Sequence, residues 1–398
     1  MSDTARLGPF ALFSIFFKLG CTSFGGPVAH IAIFRTIFVE RKAWLSDRDY
    51  ADLVALSQFL PGPASSQVGM GLGLMRGGVA GMAAAWFGFT LPSAILMAAF
   101  ALGMNELGLL EGASWVAGVK AAVVAVVAQA LFGMARSLTP DAPRATLALG
   151  GLAVALLAPV AWAQILAIAL AGLIGLAVPT IAGPRDDTAS ALKIDVPRWL
   201  SVTCLVTFFL LLFGLPVLSA TAPEGALGLF DAFYRAGALV FGGGHVVLPL
   251  LQGELVEPGL VSRDAFLAGY GGAQVVPGPM FSIASHLGAI ADIGPGGIPG
   301  AVLATIAIFL PGALLIVGGL PFWAGLTGNP RARGAVTAVS AAVVGLLAAA
   351  LYDPVFIEGI QDAPALVLAA AALIAMTKWK APVWIVIPAA GLIGALVL

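Results

Sequence analysis

The chain has 398 residues, of which 60% are hydrophobic and only 10% charged, with a formal net charge of −1 and a mean hydropathy of +1.03. Soluble globular chains carry about 25% charged residues, so this one cannot clothe itself in a water-facing surface and must present most of its exterior to lipid. The near-zero charge excludes the basic footprint of a nucleic-acid binder, and two isolated cysteines, Cys21 and Cys204, exclude a disulfide framework or a CxxC pair.

The N-terminal MSDTARLGPF lacks the basic and apolar regions of a removable signal peptide. Residues 9–34 are apolar but interrupted at Gly25-Gly26, and residues 50–75 are apolar but broken by Pro61-Gly62-Pro63. Continuous apolar stretches follow near 78–104, 114–135, 145–162 and 163–181, each about the 20 residues that cross a bilayer as a helix. A polar linker at 183–198 separates an N-terminal unit, 1–182, from a C-terminal unit, 199–398. The second unit opens with an extra apolar stretch, 199–219. It then repeats the order: 226–251 interrupted by glycines, 265–290 broken by Pro277-Gly278-Pro279, and apolar stretches near 297–326, 334–352, 363–377 and 381–398. Strand-like alternation is absent, so these are helices and not a barrel.

The irregular segments match each other. FKLGCTSFGG at 17–26 aligns with YRAGALVFGG at 234–243, SQFLPGP at 57–63 with AQVVPGP at 273–279, GGVAGM at 77–82 with GGIPGA at 296–301, and TLP at 90–92 with FLP at 309–311. The offsets stay between 216 and 219, which composition alone does not produce, so the chain is an internal duplication.

Retained Lys and Arg mark cytoplasmic loops. They cluster at Arg35, Arg41, Lys42 and Arg48, at Arg76, and at Arg136 and Arg144, whereas 105–113, 220–225 and 353–362 hold acids and no base. The two units are then inverted, with the N-terminus cytoplasmic and the C-terminus outside. Loop 35–48 and Arg76 fall on one side only if 9–34 and 50–75 dip in and return. The expected fold is an all-α polytopic membrane protein of two inverted-topology repeats with broken, re-entrant helical hairpins, two per repeat, and nine full crossings.

Breaks inside a bilayer free backbone groups that need a cavity or a protein partner. The prolines Pro61 and Pro63 end one half-helix and start the next, leaving the N–H groups of Ala64, Ser65 and Ser66 unpaired with a partial positive charge of about +0.5. Pro277, Gly278 and Pro279 do the same ahead of Ser282, and Gly25-Gly26 and Gly242-Gly243 offer two further helix starts. Four such ends converging from inverted halves make an anion site; close packing of small residues is the competing reading. Gln58 and Gln274 flank the two breaks, and Ser65, Ser66 and Ser282 add neutral donors. Lys18 and Arg235 align inside apolar runs, where a base is costly and points to function, with snorkelling as the alternative; together they would balance a dianion. His245 and His286 occur only in the second half and suit proton coupling or a structural role. Glu40 and Glu257 align as coupling acids or solvated loop acids. No metal-site spacing, cofactor motif, ATP-binding GxxxxGK[ST] or nucleophile–base set is visible, so the chain is expected to be a transporter without metal or cofactor, and not an enzyme.

LGCTSFGGPVAHI, ERKAWLSDRDYADLVALSQFLPGPASSQVG, FGGGHVVLPLL and QVVPGP closely resemble the chromate ion transporter family in its long, two-domain form. The resemblance covers nearly the whole chain. It implies chromate export across a bacterial inner (plasma) membrane and chromate resistance, with sulfate as a chemically similar competitor. It carries over both FGG motifs, both proline-glycine-proline turns, Lys18 and Arg235. The second half departs from the pattern with Gly244 where the first has Pro27. A sulfate or other oxyanion permease and a passive anion channel are the alternatives. Assembly stays open between a monomer and a homodimer.

Overall fold

The computed structural model describes residues 6–106, 114–158, 161–182, 196–241, 244–323 and 328–398. The linker expected at 183–198 lies outside the described residues up to 195, as do Gly242, Gly243 and most of loop 105–113. Every described element is helical, as lipid demands of a backbone without water partners.

In the first half, α1 (Pro9–Thr22) and α2 (Gly26–Phe34) meet at the first glycine break, and α2 continues as a π-helical stretch through Arg41. α3 (Asp47–Phe59) follows, capped by Ser46, whose side chain accepts from the Asp49 N–H. α4 (Ala64–Glu106) begins after the proline-glycine-proline turn and is itself broken at Gly77 and Gly78. α5 (Ser114–Leu138), α6 (Ala142–Leu157) and α7 (Ala161–Ala177) complete the half. The second half adds α8 (Arg198–Ser219) and then repeats the order. It runs through α9 (Ala226–Ala238), α10 (Val247–Leu251), α11 (Arg263–Val275) and α12 (Ile283–Ile290). α13 (Gly297–Gly319), α14 (Pro330–Ala350), α15 (Ala363–Thr377) and α16 (Val383–Val397) follow. Helices thus occupy all nine stretches expected to cross. Among the described residues five spans are long and apolar enough to do so; α6, α7, α15 and α16 have 16, 17, 15 and 15 residues, roughly 23–26 Å at 1.5 Å per residue.

The broken segments return to the face they enter. Leu7 N–H donates to Arg76 O at 2.8 Å, joining the start of α1 to the end of the first arm of α4. The Arg76 guanidinium and the Lys42 ammonium both lie over the Trp44 ring, 5.2 and 5.9 Å from its centre, which puts loop 42–46 on that same face. The second half mirrors this: Gly294 N–H donates to Glu224 O and Asp292 N–H to Leu260 O, each at 2.9 Å, gathering the start of α9, the loop before α11 and the end of α12.

The two faces are opposite. Along the second arm of α4, which leaves the Trp44 face at Gly78, Phe89 and Ser93 meet Gly278, then Ala94 O accepts from the Ser285 hydroxyl, then Phe100 stacks on His286. α12 therefore runs away from the Trp44 face, toward the face that carries Asp264. α13 runs the other way, meeting Gly288 at Gly300, Gly237 at Ile308 and the first proline-glycine-proline turn at Gly312. The repeats are inverted and their hairpins are re-entrant.

The halves also exchange their last helices. α15 and α16 pack on α5, where a Cβ at Gly118 would lie 2.1 Å from Ala390 O. α6 and α7 pack on α14, where a Cβ at Gly345 would lie 1.8 Å from Ala148 O. Without apolar driving force between helices in lipid, such backbone-close contacts supply the packing energy.

Candidate functional site

The two proline-glycine-proline turns and the two glycine breaks meet where the hairpin tips from opposite faces converge. Gly62 N–H donates to Val240 O at 2.8 Å, and Gly278 N–H donates to Ser23 O at 2.9 Å. These are equivalent bonds, since Gly62 and Gly278 align, as do Ser23 and Val240. Each glycine has positive φ, 125° and 108°. Each also lacks room for a Cβ, which at Gly62 would sit 3.2 Å from Gly312 Cα and at Gly278 2.8 Å from Ser93 Oγ. Pro61 and Pro63 hold the first turn against α13: Gln67 Nε2 donates to Pro61 O at 3.1 Å and to Gly312 O at 3.4 Å, and Pro63 touches the Gly312 site. Sequence reasoning missed Gln67.

A cavity of about 680 Å³ opens beside this junction. Gly25, Gly26 and Pro27 at the start of α2, Gln58 at the end of α3, and Gly62 and Ala64 at the start of α4 form one wall. The second half contributes Gly244, His245, Gln274 and Ser340. α5 forms the remaining wall from Val126 to its last residue, Leu138, so the cavity reaches from the junction toward the Trp44 face.

The lining is mostly neutral: among the described residues it contains no Asp, Glu, Lys or Arg. Its donors for an anion are backbone groups and side-chain amides. α2 starts at Gly25 and Gly26, both left-handed (φ 98° and 74°), and α4 starts at Ala64; the first N–H groups of a helix have no intrahelical acceptor and carry the positive dipole end. Gly244 and His245, in the 3₁₀ turn Gly244–Val246, face the same cavity. Gln58 and Gln274 supply amide donors, though Gln274 Nε2 also reaches Met280 Sδ at 3.0 Å. His245 Nδ1 pairs with Tyr270 Oη at 2.6 Å.

Several expected residues stand elsewhere. α4 starts at Ala64, so Pro63 precedes the first turn, and Met280–Ser282 form a 3₁₀ turn ahead of α12. Ser65 is buried against His30, whose Nδ1 is 3.5 Å from its hydroxyl and whose Nε2 is 3.2 Å from Ser23 O. Ser66 and Ser282 are buried, with no partner for either hydroxyl among the described residues. Gly278 meets α4 at Ser93 and Phe89, and none of Pro277, Gly278 and Pro279 is among the residues lining the cavity.

The two aligned bases do not converge on the cavity. Lys18 is exposed on the outer surface of α1. Arg235 is held by two carboxylates, Asp231 at 3.0 Å and Glu254 at 2.7 Å, so its charge is already matched. The equivalence of the positions is real, but the first half has Ser14 and Ile37 where the second has those acids. His286 is fully buried, with Nε2 3.2 Å from Ala265 O. Glu40 pairs with Arg35 on the Trp44 face, and Glu257 is exposed by the opposite face. Sequence reasoning also passed over Lys120, 7% exposed on α5 and 3.0 Å from Asp264; an unmatched base in an apolar helix was the available signal. Among the described residues no group of His, Cys, Asp and Glu forms a metal centre.

Comparison with known proteins places these features. The family described as Chromate transporter matches twice, at residues 10–176 and 227–395, once on each repeat. The chain is similar to the chromate transport protein of Pseudomonas aeruginosa, with 31% identity over 97% of this chain and 92% of that one. It is 28% identical to a probable chromate transport protein of Synechococcus elongatus, over 92% of this chain and 88% of that one. An uncharacterized transporter of Bacillus subtilis matches 43% of this chain at 32% identity, over 96% of its own length. No solved structure matches.

Proposed function

The chain belongs to the chromate transporter family, and we propose that it is a secondary transporter that exports chromate across a bacterial inner membrane, the basis of a resistance function. It is a multi-pass membrane protein and not an enzyme. The observation that carries the reading is the cavity itself: built from both repeats at the hairpin tips, bounded by the starts of α2 and α4, and free of carboxylates among the described residues. Helix N-termini at breaks near the midplane are the physical means by which inverted-repeat transporters hold anionic groups. A tetrahedral dianion entering from the Trp44 face would exchange water for the N–H groups at Gly25, Gly26 and Ala64 and the amides of Gln58 and Gln274. The excess of Lys and Arg on the Trp44 face supports its assignment to the cytoplasm. The re-entrant hairpins of the two repeats would then shift about the junction to release the ion on the other side.

Sulfate matches chromate in charge and shape, and the cavity lining holds nothing that separates them. A sulfate permease is therefore the second reading. A passive channel is disfavoured because the cavity leads to one face while the junction beyond it is packed. The deciding experiment is chromate uptake into proteoliposomes containing the purified full chain. Saturable uptake with trans-stimulation by internal chromate is expected. Equal or better counterflow with sulfate would assign the chain to sulfate, and non-saturable flux without trans-stimulation would make it a channel.

A further inference from the structure

The open cavity has a counterpart that is shut. α5 and α14 are equivalent: Lys120-Ala121-Ala122-Val123-Val124 aligns with Ser340-Ala341-Ala342-Val343-Val344, and Leu131-Phe132 with Leu351-Tyr352, at an offset of 220. Inverted repeats imply a second path, related to the first by exchange of the halves. Several of the residues that would line its inner part are packed. Leu248, the counterpart of cavity-lining Ile31, is 0% exposed; Met280, the counterpart of Ala64, is 3%; Ala349, the counterpart of Gln129, is 5%.

Ion pairs stand where the shut path would open. Ser340, Gly133 and Leu138 line the open cavity, and their counterparts are Lys120, Asp353 and Glu358. Each of these three is paired to one of the first two residues of α11. Lys120 Nζ lies 3.0 Å from Asp264 Oδ1, and Arg263 Nη1 lies 3.1 Å from Glu358 Oε1 and 3.4 Å from Asp353 Oδ1. The pairs tie the second re-entrant hairpin to α5 and to the end of α14 on the Asp264 face. On the open face the counterparts of Arg263 and Asp264 are Asp47 and Arg48. There Asp47 pairs with Arg35 of its own half, at 2.6 Å, and the positions across the cavity are the uncharged Ser340, Gly133 and Leu138.

We propose that Lys120–Asp264, with Arg263–Asp353 and Arg263–Glu358, is the gate of the second access path, and that opening it releases the Lys120 ammonium to the passing oxyanion. Of the five residues only Lys120 is deeply buried, so it is the one whose partner matters most. A dianion competes with Asp264 for the same ammonium, which couples substrate arrival to opening. This proposal rests on the transport reading above.

The test uses the full chain with Cys21→Ser and Cys204→Ser, and one reporter thiol at a time. A membrane-impermeant maleimide is applied to each face in sealed vesicles of both orientations. Ala349→Cys is expected to label slowly from the Asp264 face. Lys120→Ala and Asp264→Ala should each speed this about tenfold, the effect of a ~1.4 kcal/mol shift toward the open state. The exchange Lys120→Asp with Asp264→Lys should restore protection. Gln129→Cys should label from the Trp44 face, and its rate should fall in the same single variants, which also shows that they are folded. Unchanged Ala349→Cys labelling in both single variants, or a rise at both reporters together, overturns the gate. Loss of chromate and sulfate counterflow in the parent protein with reciprocal labelling intact would sink the transport reading and leave the gate.

Discussion

The N–H of Gly62 donates to the carbonyl of Val240 across the interface between the repeats, and the equivalent bond runs from Gly278 to Ser23. One pair of main-chain bonds thus locks the tip of each proline-glycine-proline hairpin onto the glycine break of the opposite half. Both donors are glycines with positive φ in places too tight for a Cβ.

Gly62→Ala and Gly278→Ala are therefore expected to disturb the site from within the backbone. Strain at positive φ costs about 1–3 kcal/mol, and the added Cβ must also displace Gln67 or Ser93. Both variants should lower the thermal transition in detergent and reduce chromate counterflow severely. Wild-type flux in both would show that the junction is not where the ion passes.

Gln58 and Ser66 separate contact from mere proximity. Gln58 lines the cavity, whereas Ser66 is buried with its hydroxyl unpartnered. Gln58→Ala should raise the chromate KM several-fold with stability unchanged. Ser66→Ala removes a hydroxyl that gains nothing from its surroundings and should leave KM as it was. The reverse pattern would contradict the cavity assignment.

Arg235 and Lys18 occupy equivalent positions and should behave differently. Removing Arg235 leaves Asp231, 4% exposed, beside Glu254 with no cation between them. Breaking a buried pair in this way costs about 3–5 kcal/mol, toward the lower end here because the arginine is partly exposed. Arg235→Ala should reduce folded yield and melting temperature, while Lys18→Ala should change neither stability nor KM. Thermal unfolding of the purified variants decides the matter.

The re-entrant hairpins predict shared accessibility. Single cysteines at Arg41 and Arg76 should react with an impermeant reagent from one face, and cysteines at Glu257 and Asp292 from the other. Opposite accessibility of Arg41→Cys and Arg76→Cys would require 50–75 to cross, against the placement of both loop 42–46 and Arg76 around Trp44.

The hairpins were legible because charge and duplication are properties of the chain in order. The base at Arg76 and those at 35–48 had to share a face, and the matched breaks located the junction. The roles of the two aligned bases were not legible in the same way. Lys18 and Arg235 align to the residue, yet one points to the outer surface and the other to Asp231 and Glu254. That difference depends on helix rotation and on neighbours distant in sequence. His30 and Gln67 were missed for the same reason: each acts through a partner, Ser65 or Gly312, supplied by another helix.

The sequence by itself determined the solvent, the helices, the duplication, the inversion and the positions of the breaks. Each follows from composition or from order along the chain, since lipid leaves a backbone so few options. Only the tertiary structure decided which breaks face a cavity, that the terminal helix pairs are exchanged, and that one of two equivalent paths is open while ion pairs close the other. Two nearly equivalent halves cannot both present the open arrangement around one junction. The choice between them is made by side chains that differ at matched positions, Lys120 against Ser340, Asp353 against Gly133 and Glu358 against Leu138, and their effect exists only once the helices are packed.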